Sequence, residues 1–140
     1  MSWGRYKRCP TILGFTVVSS EELELAYLAG LICADGHIRD RDKMITSYLG
    51  TSRYVGVVKK LLERYSLRKA CVRRHHGVFE VYVTDKNLAR IFIKKYEIPV
   101  GRKYDKITLP PLTNIEKRYF IAGFFDGDGS IYTRIHSEKR

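Results

Sequence analysis

The sequence contains two similar apolar segments, and each ends in an acidic residue followed by glycine. The first, YLAGLICADGHI at residues 27–38, carries Asp35, and the second, FIAGFFDGDGSIY at residues 120–132, carries Asp128. The two segments align without a gap when one is shifted by 93 residues. Self-similarity at a fixed spacing indicates an internal duplication. We therefore expect Asp35 and Asp128 to occupy equivalent places in two copies of one structural unit.

The position of these two acids predicts a metal site. Each lies at the end of an apolar segment with the length of a helix, and a helix C-terminus already carries about half a negative charge. Two carboxylates brought together there repel each other, and a divalent cation removes the conflict. Mg²⁺ prefers carboxylate, carbonyl and water oxygens, and such sites assist phosphoryl displacement. Asp35 and Asp128 thus predict Mg²⁺-dependent phosphodiester cleavage, and Mn²⁺ or Ca²⁺ could occupy the same site.

Capping patterns define the helices that position the two acids. Ser19 is followed three residues later by Glu22, and Thr113 is followed in the same way by Glu116. This is the capping-box pattern, in which each side chain satisfies a free N–H group at the start of a helix. The patterns predict helices over residues 20–35 and 114–127.

An Ala-Gly pair lies in the middle of each predicted helix. The pairs are Ala29 with Gly30 and Ala122 with Gly123. A glycine inside a helix costs about 1 kcal/mol of helix propensity and usually marks a close approach of another backbone. The two helices are therefore predicted to cross in tight contact at these pairs, which brings their C-terminal acids together.

The chain between the motif helices predicts four strands and two helices. Hairpin patterns occupy residues 37–50 and 70–84, the second with its turn at His76-Gly77, and a helix follows each hairpin, the later one capped by Asp85. The order is that of an α+β fold. We divide the chain into a basic leader (1–18), a first repeat (19–97), a linker (98–113) and the start of a second repeat (114–140), which holds its motif helix and first strand.

The composition favours a nucleic-acid partner. Lysine and arginine number 26 against 15 acids in 140 residues, a net charge of +11. Phosphate neutralisation releases counterions and gives a basic protein affinity for nucleic acid. Three widely spaced cysteines do not support a disulfide framework or a zinc site, and no signal peptide or membrane segment is apparent, so an intracellular protein is expected. A calcium loop starting at Asp126 is excluded, because Ile131 and Ser137 occupy its essential Gly and Glu positions.

The two motifs resemble those of the LAGLIDADG homing endonuclease family. The likeness is carried by LAGLICADG at residues 28–36, by IAGFFDGDG at 121–129, by the element order between them and by the basic connector, about 120 of the 140 residues. It implies a saddle-shaped αββαββα unit, here one complete repeat plus the start of a second. A second chain or a missing C-terminal segment would complete the other half.

The resemblance also implies roles for particular residues. Asp35 and Asp128 would coordinate Mg²⁺ with the carbonyls of Ala34 and Gly127, and Lys103 would be the basic residue near the cleavage centre. Cys33 replaces the first acid of the family motif, at a position that is not expected to hold metal.

The implied substrate is double-stranded DNA, with the sheet lying in the major groove. Outward side chains on the hairpins are the candidate contacts to phosphates and base edges. They are Arg39, Arg41 and Lys43 on the first hairpin, and Arg73, Arg74, His75, His76 and Tyr82 on the second. The leading function is a site-specific, intron-encoded endonuclease that makes a double-strand break, with water as the nucleophile.

Alternative functions on the same fold stay open. An RNA maturase that helps a host intron to fold, or a DNA-binding protein that no longer cuts, would use the same basic surface. An endonuclease segment within an intein is less well supported, because no splice-junction Cys or His-Asn terminus is present. Both motif acids are retained, which favours the enzyme.

Overall fold

A computed structural model describes residues 11–12, 15–16, 18–101 and 108–127 of the chain. Two predicted site residues, Lys103 and Asp128, lie outside the described residues. Four α-helices are found within these ranges: α1 (Ser20–Asp35), α2 (Val55–Ser66), α3 (Lys86–Lys94) and α4 (Asn114–Gly127). No helix among the described residues has the length and apolar character needed to cross a membrane.

The described strands form two antiparallel sheets. Two-residue strands β1 (Thr11–Ile12) and β2 (Phe15–Thr16) pair with each other. The main sheet contains β3 (Gly36–Ile38), β4 (Met44–Leu49), β5 (Cys71–His75) and β6 (Val78–Thr84) in the order β3-β4-β6-β5. The chain therefore runs helix, two strands, helix, two strands, helix from α1 to α3, and α4 follows. This order confirms the predicted α+β fold and its αββαββα repeat.

Local hydrogen bonds begin the helices where the sequence predicts. The backbone N–H of Glu22 donates to Ser19 Oγ at 3.2 Å, and that of Glu116 donates to Thr113 Oγ1 at 3.3 Å. Asp85 accepts hydrogen bonds from the N–H groups of Asn87 and Leu88 at the start of α3. Each cap satisfies donors that would otherwise have no partner in the first helical turn.

The two hairpin turns depend on left-handed backbone conformations. In the β3–β4 turn, Lys43 has a φ of 58° and its N–H donates to the carbonyl of Arg39 at 2.8 Å. In the β5–β6 turn, His76 and Gly77 have φ values of 50° and 77°. Two successive residues with positive φ match the twist of the flanking strands, which is why short hairpins favour them.

The core lies between one face of the main sheet and the helices. Ile45, Val81 and Val83 point from the sheet into this core, where they meet fully buried residues of α1, α2 and α3. The helical contributions include Leu25, Leu28 and Ile32 from α1, Leu62 from α2, and Leu88 and Phe92 from α3. Because side chains alternate along a strand, the neighbouring residues of β4 and β6 point to the other face.

Helices α1 and α4 cross at their glycines. A β-carbon at Gly30 would lie 2.0 Å from the carbonyl oxygen of Phe120, and one at Gly123 would lie 2.0 Å from that of Tyr27. Neither position can hold a side chain without a backbone shift, so the predicted crossing is found at both glycines. The prediction does not extend to the preceding alanine of α4: Ala122 is exposed, whereas Ala29 is buried in the core.

Candidate metal centre and nucleic-acid interface

Asp35 is the last residue of α1, and its side chain is exposed. The next residue, Gly36, starts β3 and pairs with Ser47 of β4. A β-carbon at Gly36 would lie 2.2 Å from the carbonyl oxygen of Thr46. The Asp-Gly pair of the motif therefore has a structural reason: only glycine lets the end of α1 pass directly into the sheet, and this passage fixes where Asp35 projects.

The C-terminal ends of α1 and α4 lie side by side. A β-carbon at Gly127, the last residue of α4, would lie 3.1 Å from Cβ of Ala34 and 3.1 Å from the carbonyl oxygen of Leu31. The predicted carbonyl ligands, on Ala34 and Gly127, thus belong to adjacent helix ends. No group of three or more His, Cys, Asp or Glu side chains suited to a metal ion occurs among the described residues, which include Asp35 but not Asp128.

A cleft of about 380 Å³ opens beside Asp35. Its other described lining residues come from β4 and the β5–β6 hairpin: Tyr48, His75, His76, Val78 and Glu80. The rings of His75 and His76 meet edge to face with centroids 4.1 Å apart. Two of the predicted DNA-contacting residues therefore line the same cleft as the predicted metal ligand.

The face of the main sheet opposite the core is polar. The pairing register aligns Arg73, Glu80 and Tyr48 across three strands, and it aligns Tyr82 with Thr46 and His37.

Arg73 is held firmly on this face. Its Nη2 donates to Glu80 Oε2 at 2.8 Å, and its guanidinium lies 5.2 Å from the ring centroid of Tyr82. The hydrogen bond to Glu80 raises the pKa of Arg73. The predicted residues Arg73 and Tyr82 thus form one unit with Glu80, which the sequence analysis did not select.

Tyr48 and His37 are a second pair that the sequence analysis missed. Tyr48 Oη lies 3.3 Å from His37 Nδ1, and the two rings stack with centroids 5.7 Å apart. Burial raises the pKa of Tyr48, and the negative charges of Glu80 and Asp35 add to this while Arg73 opposes it. The phenol therefore stays protonated beside Asp35. The alternation within β4 was the available signal, because it places Tyr48 on the same face as Thr46.

The remaining predicted DNA contacts lie away from this cleft. Arg39 donates to both carboxylate oxygens of Asp42, at 2.8 and 2.6 Å, within the β3–β4 turn. Arg41 and Lys43 belong to the same turn and line a different cleft. Arg74 is on the helix-covered face of the sheet, where its guanidinium lies 5.4 Å from the ring centroid of Phe79. The structure thus separates Arg73 from Arg74.

Comparison with known proteins identifies the fold. No family model and no curated protein matches the chain. Solved structures of the homing endonuclease I-DmoI do match: its complex with DNA and Mn is 17% identical, with a TM-score of 0.55 over 76% of this chain and 62% of that chain. The chain has the fold of the LAGLIDADG homing endonucleases.

Two further I-DmoI structures give the same result. A variant in complex with its target DNA and Mn is 16% identical and covers 81% of this chain and 65% of that chain, with a TM-score of 0.57. The complex with DNA and Ca is 16% identical and covers 76% and 58%, with a TM-score of 0.52. The present chain therefore spans less than two thirds of the length of the I-DmoI chains that it matches.

The two motif helices, α1 and α4, are not chemically symmetric. Tyr27 of α1 donates a hydrogen bond to Asp126 of α4, and burial together with this bond raises the pKa of Tyr27. By the shift of 93 residues, the counterparts of Tyr27 and Asp126 are Phe120 and Cys33, both buried. The polar pair Tyr27–Asp126 on one side of the crossing thus corresponds to the buried, uncharged pair Phe120–Cys33 on the other. Cys33 is 2% exposed, so an acidic side chain at this position would be buried.

Proposed function

We propose that the protein is a divalent-metal-dependent DNA endonuclease that makes a site-specific double-strand break. The observation that carries the proposal is the position of Asp35, whose exposed carboxylate lies at the joined ends of two crossed motif helices and beside a cleft of the polar sheet face. The I-DmoI structures with this fold contain target DNA and Mn or DNA and Ca, which supports a divalent cation and a DNA substrate.

Asp35 and Asp128 would hold the cation, preferably Mg²⁺, together with the carbonyls of Ala34 and Gly127. The donor set suits a hard divalent cation, because carboxylate and carbonyl oxygens are the ligands that such ions prefer. When bound, the cation would supply charge stabilisation for the attacking and leaving oxygens of the cleaved phosphodiester. Water would be the nucleophile, and Lys103 is the candidate basic residue of the cleavage centre.

The residues around the cleft have separate tasks in this proposal. His75 and His76, which line the cleft with Asp35, would donate hydrogen bonds to the oxygens of a bound phosphate. Tyr48 keeps its proton, since its pKa is raised, and so serves as a hydrogen-bond donor beside the carboxylate. Arg73 is bonded to Glu80 and lies over the ring of Tyr82, so its guanidinium would enter the DNA major groove in one orientation.

The proposal predicts that each motif acid is essential for cutting. Asp35→Asn and Asp128→Asn remove a negative charge from the cation site but keep the size of the side chain. We expect each to reduce cleavage, at a site first recovered from a randomised plasmid pool by wild-type cutting, by about 100-fold or more in Mg²⁺, while DNA binding changes less than about threefold. Gel analysis of linear product in Mg²⁺, Mn²⁺, Ca²⁺ and EDTA measures the effect.

Glu21→Gln is the matched control, because Glu21 is an exposed acid in the first turn of the same helix as Asp35. It should cut at the wild-type rate. Cleavage by Asp128→Asn at the wild-type rate would disprove a shared metal centre. Tight binding without any cutting by the wild-type chain in all three metals would favour the non-cleaving alternatives, a maturase or a DNA-binding protein.

A further inference from the structure

A second cleft, of about 320 Å³, lies between the β3–β4 turn and α3. Five basic residues line it: Arg41 and Lys43 from the turn, and Lys86, Arg90 and Lys94 from α3. Ile93 contributes apolar surface, and Asp40 is the one acidic residue among the described lining residues. The described lining of the Asp35 cleft, by contrast, contains two acids, Asp35 and Glu80.

Most of this positive charge is not neutralised within the described residues. Lys43 Nζ contacts Asp40 Oδ1 at 2.8 Å, which accounts for one cation and the one acid. No ion pair among the described residues involves Arg41, Lys86, Arg90 or Lys94. The described lining of the cleft therefore carries an excess of four positive charges.

The three basic residues that α3 contributes form a row along one side of the helix. Lys86, Arg90 and Lys94 are spaced by four residues, so they are neighbours on the helix surface. The opposite side of α3 packs into the core through Leu88 and Phe92, each 0% exposed. Like charges four residues apart destabilise a helix. A polyanion bound across the row would turn this repulsion into attraction.

The basic cleft lies at the far end of β3 from Asp35. Asp35 directly precedes this strand and the β3–β4 turn directly follows it, and three residues of strand extend roughly 10 Å. Phosphates of each DNA strand recur about every 3.4 Å along the helix axis. Arg41 and Lys43 in the turn are therefore roughly three phosphate repeats from Asp35 along the duplex, and the basic residues of α3 border the same cleft from the helix side of the sheet.

We propose that this cleft binds backbone phosphates of double-stranded DNA next to the cleavage site. The inference rests on the proposed function, and it assigns a DNA-binding role to Lys86, Arg90 and Lys94 on α3, outside the sheet. Phosphate fits the site because the lining offers guanidinium and ammonium donors around an open space. Such contacts give affinity and set the register of the duplex without reading its sequence.

The test compares two double variants that lose the same charges. Arg90→Gln/Lys94→Gln removes two cations from the cleft, and Arg53→Gln/Lys60→Gln removes two exposed cations beside and on α2. Binding of a fluorescent 30-base-pair duplex of random sequence is measured in EDTA over a range of salt concentrations. Each lost phosphate contact should lower the slope of log K against log salt by about 0.9.

We expect the cleft variant to lower this slope by about 2 and to weaken binding about tenfold or more at low salt, and we expect the control to leave the slope within about 0.3 of wild type. An equal change in both variants, or in neither, would overturn the proposal. If Arg90→Gln/Lys94→Gln lowers the slope for an RNA hairpin but not for the DNA duplex, the proposal is also overturned. The cleft would then be an RNA site.

The same measurements separate the two proposals. If wild type shows no salt-dependent binding to duplex DNA, the endonuclease proposal fails together with this one. If wild type binds and cuts DNA but the slope does not respond to Arg90→Gln/Lys94→Gln, only the phosphate cleft is wrong. Melting curves followed by circular dichroism confirm that both double variants are folded, since all four substituted side chains are exposed.

Discussion

Helices α1 and α4 carry the same motif, yet their outer faces have opposite surroundings. Leu28 and Ile32 of α1 are 0% exposed, whereas their counterparts in α4, Ile121 and Phe125, are 41% and 55% exposed. The inner faces agree, because each glycine packs on the backbone of the other helix. The motif glycines thus determine how the two helices cross. Burial of the outer face depends on a sheet packed against it, and among the described residues only α1 has such a sheet.

The largest expected effect concerns the side that the two helices share. Gly30→Ala would place a β-carbon 2.0 Å from the carbonyl oxygen of Phe120, so the backbones must move apart. We expect a loss of about 3 kcal/mol or more in the free energy of unfolding, measured in urea. Gly56→Ala in α2, where no atom lies within 4 Å, is the control and should change stability by less than about 1 kcal/mol. Equal stability of the two variants would rule out the tight crossing.

The outer faces should respond differently to truncation. Ile32→Ala leaves a cavity in the core and should cost about 3 kcal/mol of unfolding free energy. Phe125→Ala removes a side chain that is 55% exposed and should cost less than about 1 kcal/mol. Urea unfolding, together with the molecular mass in solution, tests this. Similar losses would mean that the outer face of α4 is covered in solution, and a mass above that of one chain would point to a second copy.

A lysine joins the N-terminal ends of the two helices. Lys95 Nζ lies 3.3 Å from Glu22 Oε2 in α1 and 3.0 Å from Glu116 Oε2 in α4, and both carboxylates are nearly buried. Lys95→Met would leave two like charges without their shared cation, so we expect a loss of about 2 kcal/mol at neutral pH. Lys94→Met, at an exposed neighbouring position, should stay within about 0.5 kcal/mol of wild type in the same urea titration. If Lys95→Met also changed the free energy of unfolding by less than about 0.5 kcal/mol, the two ion pairs of Lys95 would not stabilise the fold.

The smallest expected effect concerns the polar pair of the crossing. Tyr27→Phe removes the hydrogen bond to Asp126 and should cost about 1 kcal/mol at pH 7. Because the pKa of Tyr27 is raised in the folded protein, its stabilisation is complete below about pH 10 and is lost as the pH rises further. The stability difference between wild type and Tyr27→Phe should therefore shrink in thermal melts above pH 10. Tyr119→Phe, at an exposed position of α4, is the control and should change the free energy of unfolding at pH 7 by less than about 0.5 kcal/mol.

Local patterns predicted the elements of the fold well, because their causes are local. Ser19 with Glu22, Thr113 with Glu116, and Asp85 all cap helices as expected, and His76-Gly77 forms a hairpin turn. These interactions link residues at most three apart, so their spacing is visible in the chain. The crossing of α1 and α4 was also predictable, since a mid-helix glycine has few other uses.

The site was predicted less completely, because its contacts depend on strand register. Arg73 and Arg74 are adjacent in sequence and were grouped together, but alternation along β5 places them on opposite faces. Tyr48 and Glu80 become neighbours on the polar face only when β4 and β6 pair, so their place beside Asp35 is not visible in the sequence. The two ion pairs of Lys95 likewise form only when the end of α3 packs against both α1 and α4. Lys103 and Asp128 lie outside the described residues, so their roles stay predictions.

The crossing at Gly30 and Gly123 has a consequence for how such a protein can change over time. The contact atoms on the far side of each glycine are backbone carbonyl oxygens of the partner helix, which every amino acid supplies. Side chains on the polar sheet face can therefore be exchanged without altering the spacing between the ends of α1 and α4. The composition of the sheet surface can thus vary while the helix crossing stays the same.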